Sequence, residues 1–271
     1  MNPEFLYCEN PLDGTRIPYQ ERGAGPVLLL VHGWTLDSRS FEPQYPLADS
    51  YRLVTFDRRG CGRSTADPDL GAETGDIDAL INMLDVDAVH LLGVSQGARV
   101  ALRYAAVRPQ RVQSLILQGP AVDGYVPPME DSSGIPLADY MALAQLGKLD
   151  ELRTRWLAHP LMNSETLSDE QAATLRRIVA DYRGLDLLDG TPAATAIPHL
   201  LETLASLDLP TLLITGERET DARRAHCEKL AGTMRDVREV VLPNCGHLSN
   251  FSQPEAYNAA VREFLGALAA S

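Results

Sequence analysis

The chain has 271 residues, 45% of them hydrophobic, and a net charge of -13. That length suits one large domain or a core domain with an insert. The acidity argues against a nucleic-acid partner, whose phosphates would need Lys and Arg. No run of about 18 apolar residues is present, which excludes a transmembrane helix. The four cysteines, Cys8, Cys61, Cys227 and Cys245, lack CxxC spacing, so neither a zinc site nor a disulfide framework is expected.

The N-terminal MNPEFLYCENPLDG is acidic and Pro-containing where a signal peptide would be basic and then apolar, so a cytoplasmic protein is expected. FLYCENPLDGTRIPYQERG predicts an antiparallel hairpin at a sheet edge, turned at Asp13-Gly14. Short branched apolar runs follow: VLLLVH at 27–32, RLVTFD at 52–57, VHLLGV at 89–94 and SLILQG at 114–119, then TLLIT at 211–215 and EVVLP at 239–243. Runs with so little polar alternation read as strands covered on both faces. Between them lie helix-length segments such as QGARVALRYAAVRP (96–109) and PEAYNAAVREFLGALAA (254–270). In the second, Tyr257, Val261, Phe264 and Leu268 recur at helical spacing. Alternating strands and helices predict an α/β fold, a mostly parallel twisted sheet with helices on both faces.

Residues 121–200 break this alternation. VDGYVPPMEDSSGIP is loop-like, LADYMALAQLGKLDELRTRWLAHPLM reads as helices interrupted at Gly147, QAATLRRIVADYRG reads as another helix, and DGTPAATAIP is turn-rich. One crossover rarely needs so many residues. The expected organisation is a core of 1–120 and 201–271 with a helical lid insert of 121–200.

Gly93-Val94-Ser95-Gln96-Gly97 lies between a predicted strand and a predicted helix. G-x-S-x-G alone is a weak signal; the strand–turn–helix setting makes it specific. A serine on so tight a turn needs glycines beside it, and the turn presents the hydroxyl at a helix N-terminus, which favours negative charge. Helix capping by Ser95 is the alternative reading.

With that motif in place the chain resembles the α/β-hydrolase family over nearly its whole length, on four motifs in the family's order. HGW at 32–34 resembles the oxyanion loop. DRRGCGRS at 57–64 resembles the D-x-x-G-x-G-x-S segment, with Cys61 where His, Tyr or Phe is more familiar. GVSQG resembles the nucleophile elbow, and GHLSNFSQPEAYNAAVREFL the region of the catalytic histidine and final helix. The resemblance implies a nucleophile at Ser95, a base at His247 and an oxyanion hole made by the backbone N–H groups of Trp34 and Gln96. It implies structural roles for His32, Asp57 and Arg58. Of the six histidines, only His247 combines the motif match with a turn at the carboxyl end of a strand.

The same resemblance places the third member, an acid, after the strand TLLIT in a G-x-x-D pattern. Here Gly216-Glu217-Arg218-Glu219 puts Glu219 at the patterned position, with Asp221 as its rival and Asp123 a further candidate. A serine in the elbow implies acyl transfer on a small ester or lactone, with no cofactor and no metal. Apolar insert residues (Tyr140, Met141, Leu143, Leu146, Trp156 and Leu157) are expected to contribute an apolar pocket wall, with lid-to-core packing the commoner use of such a stripe. C–C bond hydrolysis, cofactor-free perhydrolysis and a non-catalytic ligand receptor remain alternatives, and a homodimer is left open.

Overall fold

The computed structural model describes residues 4–128, 134–162, 164–191 and 197–270. The expected loop 122–136 and the turn-rich 189–198 therefore lie partly outside the described residues. Eight strands form one sheet: β1 (Leu6–Glu9), β2 (Arg16–Arg22), β3 (Val27–Val31), β4 (Arg52–Phe56), β5 (Val89–Val94), β6 (Val112–Gln118), β7 (Thr211–Gly216) and β8 (Val237–Leu242). Their order is β1-β2-β4-β3-β5-β6-β7-β8. β1 pairs antiparallel with β2, and β2 with β4. Every later pairing is parallel. The edge hairpin is therefore as expected, its chain reversal closed by Gly14 N–H on Asn10 O and Asn10 N–H on Thr15 O.

The central strands are mostly apolar, with His90, Ser114 and Gln118 among the buried exceptions, because successive side chains enter different cores. Leu29 and Val31 of β3 join Leu91, Leu115 and Leu213 on one face. Leu28 and Leu30 join Leu92, Ile116 and Ile214 on the other. The first face is covered by α1 (Glu73–Met83) and α2 (Gln96–Val107), which contribute Ile77, Leu80, Ala98 and Ala101. The helix at the chain's end is α9 (Pro254–Ala270), and its Tyr257, Val261, Phe264 and Leu265 cover the second face with Phe41 and Leu47.

Between β6 and β7 no strand occurs among the described residues. This insert holds α3 (Leu137–Gln145), α4 (Leu149–Leu157), α5 (Asp169–Ala180) and α6 (Leu200–Ser206). α3 and α4 part at Gly147, whose φ of +69° favours glycine. α3 to α5 build a third core, in which Tyr140, Leu143, Leu152, Trp156, Leu175 and Ile178 are buried with Leu36, Leu248 and Phe251 of the sheet domain. α6 instead packs on α2 through Leu200 and Leu204. The expected boundary at 200/201 thus falls at the first residue of a helix that belongs with the core. α7 (Asp221–Ala231) follows β7, and a single turn, α8 (Ser249–Ser252), precedes α9.

Among the described residues no helix is long and apolar enough to cross a membrane.

Candidate active site

Ser95 sits between β5 and α2 with φ +54° and ψ -114°, a conformation that costs a non-glycine residue about 1–3 kcal/mol. Its neighbours explain how the turn is tolerated. A Cβ on Gly93 would lie 2.6 Å from Ala98 Cα, and one on Gly97 would collide with the carbonyls of Val31 and His32. Only glycine lets α2 start so close to β3 and β5. The Ser95 N–H donates to Gln118 O at 2.8 Å, tying the turn to the end of β6.

The loop that follows β3 lies against this turn, since a Cβ on Gly33 would be 3.6 Å from Ser95 Cβ. It is braced from below by Arg58. The Arg58 backbone N–H donates to His32 Nε2 at 3.0 Å, and its guanidinium donates to His32 O at 3.1 Å and to Gln96 Oε1 at 2.9 Å. Glu73 neutralises the guanidinium through both carboxylate oxygens, at 2.7 and 3.0 Å. With Nε2 accepting, His32 carries its proton on Nδ1 and donates to Gly33 O, 2.9 Å away. Burial, reinforced by the Arg58 cation, pulls the His32 pKa down to about 3. His32 is thus a neutral bracket. Asp57 is a bracket too, accepting from the N–H groups of Ser38 and Arg63.

His247 lies in the turn after β8. Its Nδ1 is 2.7 Å from Glu219 Oε2, and both side chains are buried. Burial raises the Glu219 pKa, but the His247 imidazole and the Thr220 N–H outweigh it and hold the carboxyl below its usual value. The second oxygen, Oε1, accepts that Thr220 N–H at 2.8 Å. Nε2 of His247 is buried with no hydrogen-bond partner. The backbone around the pair is pinned. Gln118 Nε2 donates to His247 O at 2.7 Å, and Arg218 N–H donates to Cys245 O at 2.8 Å. Gly216 passes so near the Cys245 and Gly246 carbonyls that a Cβ there would overlap them.

The rival acids are placed elsewhere. Asp221 is the exposed first residue of α7. Asp123 is engaged by Arg99 and Arg103. Glu217 braces the turn, accepting from Asn244 N–H at 2.9 Å. Burial pushes the Cys61 thiol up to about 12, which leaves little thiolate at neutral pH.

Ser95, Gln96, His247, Gly33 and Trp34 line one cavity of about 460 Å³, roofed by Trp156, Leu161, Met162 and Leu187 of the insert. Of the six apolar insert residues expected to wall the pocket, Trp156 alone does so among the described residues. Tyr140 and Leu143 are buried inside the insert's own core, and Leu146 is 69% exposed. Helical spacing reveals an apolar stripe but not which neighbour it meets. Sequence reasoning missed two positions. Gly119 passes beneath the His–Glu pair with φ +50°, and a Cβ there would lie 2.5 Å from His247 Cε1. Asp186 lines the cavity from the insert; its only sequence signal was its charge in an apolar neighbourhood. Among the described residues no group of three His, Cys, Asp or Glu side chains could hold a metal ion.

Comparison with known proteins agrees with this architecture. A 2-hydroxy-6-oxononadienedioate/2-hydroxy-6-oxononatrienedioate hydrolase from Pseudomonas putida is 28% identical over 264 residues, 93% of this chain and 88% of that protein. A pimeloyl-[acyl-carrier protein] methyl ester esterase from Shewanella sp. (strain MR-7) is 28% identical over 271 residues, 96% of this chain and 98% of that protein. In structure, a thermophilic esterase from Thermogutta terrifontis superposes with a TM-score of 0.80 at 24% identity, covering 98% of this chain and 99% of that one. The sequence profile of the alpha/beta hydrolase fold matches residues 26–254. On that match, together with the sheet order and the elbow at Ser95, this chain belongs to the alpha/beta hydrolase fold family.

Proposed function

We propose that the protein is a serine hydrolase that cleaves a small carboxylic ester or lactone through an acyl-enzyme. The observation that carries this reading is the buried His247–Glu219 pair, whose histidine keeps an unpartnered Nε2 and lines the same cavity as Ser95. Ser95 Oγ attacks the substrate carbonyl while His247 Nε2 takes its proton. Glu219 stabilises the imidazolium through Nδ1. The backbone N–H groups of Trp34 and Gln96 bind the oxyanion of the tetrahedral intermediate, a contribution worth roughly 3–4 kcal/mol per donor in well-studied cases. The intermediate collapses as His247 returns the proton to the leaving oxygen, and water, activated by the same base, then releases the acid. A cavity of about 460 Å³ suits a small acyl group. The helical insert supplies its roof and acts as a lid.

The P. putida relative favours a second reading, C–C bond cleavage of a diketone on the same groups. The deciding experiment is labelling with an organophosphonate, followed by turnover of p-nitrophenyl esters of graded chain length, a diketone, and acetate with peroxide. Ser95 is expected to carry the label, and short esters are expected to turn over fastest. An unlabelled Ser95 would sink the proposal, and preferred diketone cleavage would establish the second reading. Tight binding in the cavity without an acyl-enzyme burst would instead indicate a receptor.

A further inference from the structure

Two long-range hydrogen bonds tie the insert to the loop that carries Trp34. The Trp34 indole Nε1 donates to Asp186 Oδ2 at 2.6 Å, and the other oxygen of that carboxylate accepts from the Tyr182 hydroxyl at 2.6 Å. The next residue, Thr35, is β-branched, 1% exposed and held at φ +62°. That conformation is strained for a threonine and persists only where surroundings enforce it. Its side chain is held by Trp156 of α4, whose indole Nε1 donates to Thr35 Oγ1 at 2.7 Å. The Trp34 ring meets Trp156 edge-on at 4.7 Å and Tyr182 at 5.8 Å. The partners are 152 and 121 residues apart in sequence. The insert therefore holds the Trp34 side chain and the residue after it, both on the C-terminal side of the peptide that carries the Trp34 N–H.

We infer that Asp186 and Trp156 are positioning residues for the oxyanion hole, so that docking of the insert completes the site as well as covering it. This rests on the proposed role of the Trp34 N–H. A donor acts only within about 0.5 Å and 10–20° of the developing oxyanion. Rotation of the Trp34 peptide after loss of either bond moves it outside that window. The carbonyl of a bound ester places less charge on its oxygen than the tetrahedral intermediate, so the loss falls on kcat rather than on ground-state binding.

The test compares Thr35→Val and Asp186→Ala with their conservative counterparts, Thr35→Ser and Asp186→Asn, which keep an oxygen acceptor. Thr35 is not among the cavity-lining residues, so Thr35→Val separates positioning from substrate contact. Trp156→Phe removes the indole donor and keeps the ring packing. For a p-nitrophenyl ester, kcat is expected to fall about 10- to 100-fold in Thr35→Val, Asp186→Ala and Trp156→Phe. KM should stay within about threefold, and Thr35→Ser and Asp186→Asn should recover most of the rate. Affinity for a trifluoromethyl ketone, which forms an oxyanion on Ser95, is expected to fall in parallel with kcat. Unchanged kcat in Thr35→Val and Trp156→Phe, with melting temperatures retained, would overturn the inference. So would losses confined to KM. Phosphonate labelling of Ser95 in the unaltered protein keeps the two questions apart: its failure removes the serine-hydrolase reading, whereas labelling with full kcat in the variants removes only this one.

Discussion

At the scale of single residues, the partner of His247 is chosen by position and not by type. Glu219 and Asp221 are two residues apart, yet one is buried on His247 and the other is exposed at a helix start. The expected outcome is that Glu219→Gln lowers kcat by several orders of magnitude, as loss of a triad acid does, while Asp221→Asn leaves it within about twofold. Steady-state kinetics on one ester checks both. Gly119 offers a second test. Alanine there meets His247 Cε1 and Nδ1 and must adopt φ +50°. Gly119→Ala is expected to lower kcat at least tenfold, because His247 has to shift, and to destabilise the fold by about 1–3 kcal/mol. Chemical denaturation and ester turnover on the same sample separate the two effects.

At the scale of elements, the site depends on how closely α2 can start against the sheet. Gly97 brings the first turn of α2 onto the β3 carbonyls, and no side chain fits between. Gly97→Ala is expected to push the helix away at a cost of about 1–3 kcal/mol and to displace Ser95 with it, so both melting temperature and phosphonate labelling rate should fall. A variant that keeps both would show that the approach is softer than its geometry. Much at this scale was legible in the sequence. The strands at 27–32, 89–94 and 211–215 announced themselves because burial on both faces leaves apolar side chains at most positions. The final helix did so through the spacing of Tyr257, Val261 and Phe264, all of them buried. The insert's helices were legible too, but their apolar stripe left pocket wall and packing both open, and most of it fills the insert's own core. Periodicity identifies a buried face without saying what buries it.

At the scale of the whole molecule, burial of neutral histidines couples stability to pH. His32 has its pKa pulled down to about 3 by burial and by Arg58, and His226 to about 4 by burial and then Arg223. Both folded values lie below the usual 6.5 or so of an unfolded histidine. As pH falls through that interval the unfolded chain binds protons that the folded chain refuses, so stability is lost with acid. The slope is about 1.4 kcal/mol per pH unit for each such histidine. Glu219, whose folded pKa is lowered, adds to the loss in the same direction once pH drops below the usual carboxylate range. Urea unfolding between pH 7 and pH 4.5 should show the decline, and His226→Gln should flatten it by about one proton. An unaltered slope in that variant would remove His226 from the account.

By itself the sequence determined the alternation of strands and helices, the elbow at Ser95 and the turn at His247. Each is written in a few adjacent residues, because backbone conformation answers to local sterics and to the apolar period. The contact of His247 with Glu219 and not Asp221, the closeness of Gly119 to His247 and the grip of Asp186 and Trp156 on the Trp34 loop were decided only by tertiary structure. Those contacts join residues 28 to 152 positions apart. Which side chains meet over such separations depends on how whole elements pack, and no local pattern encodes that.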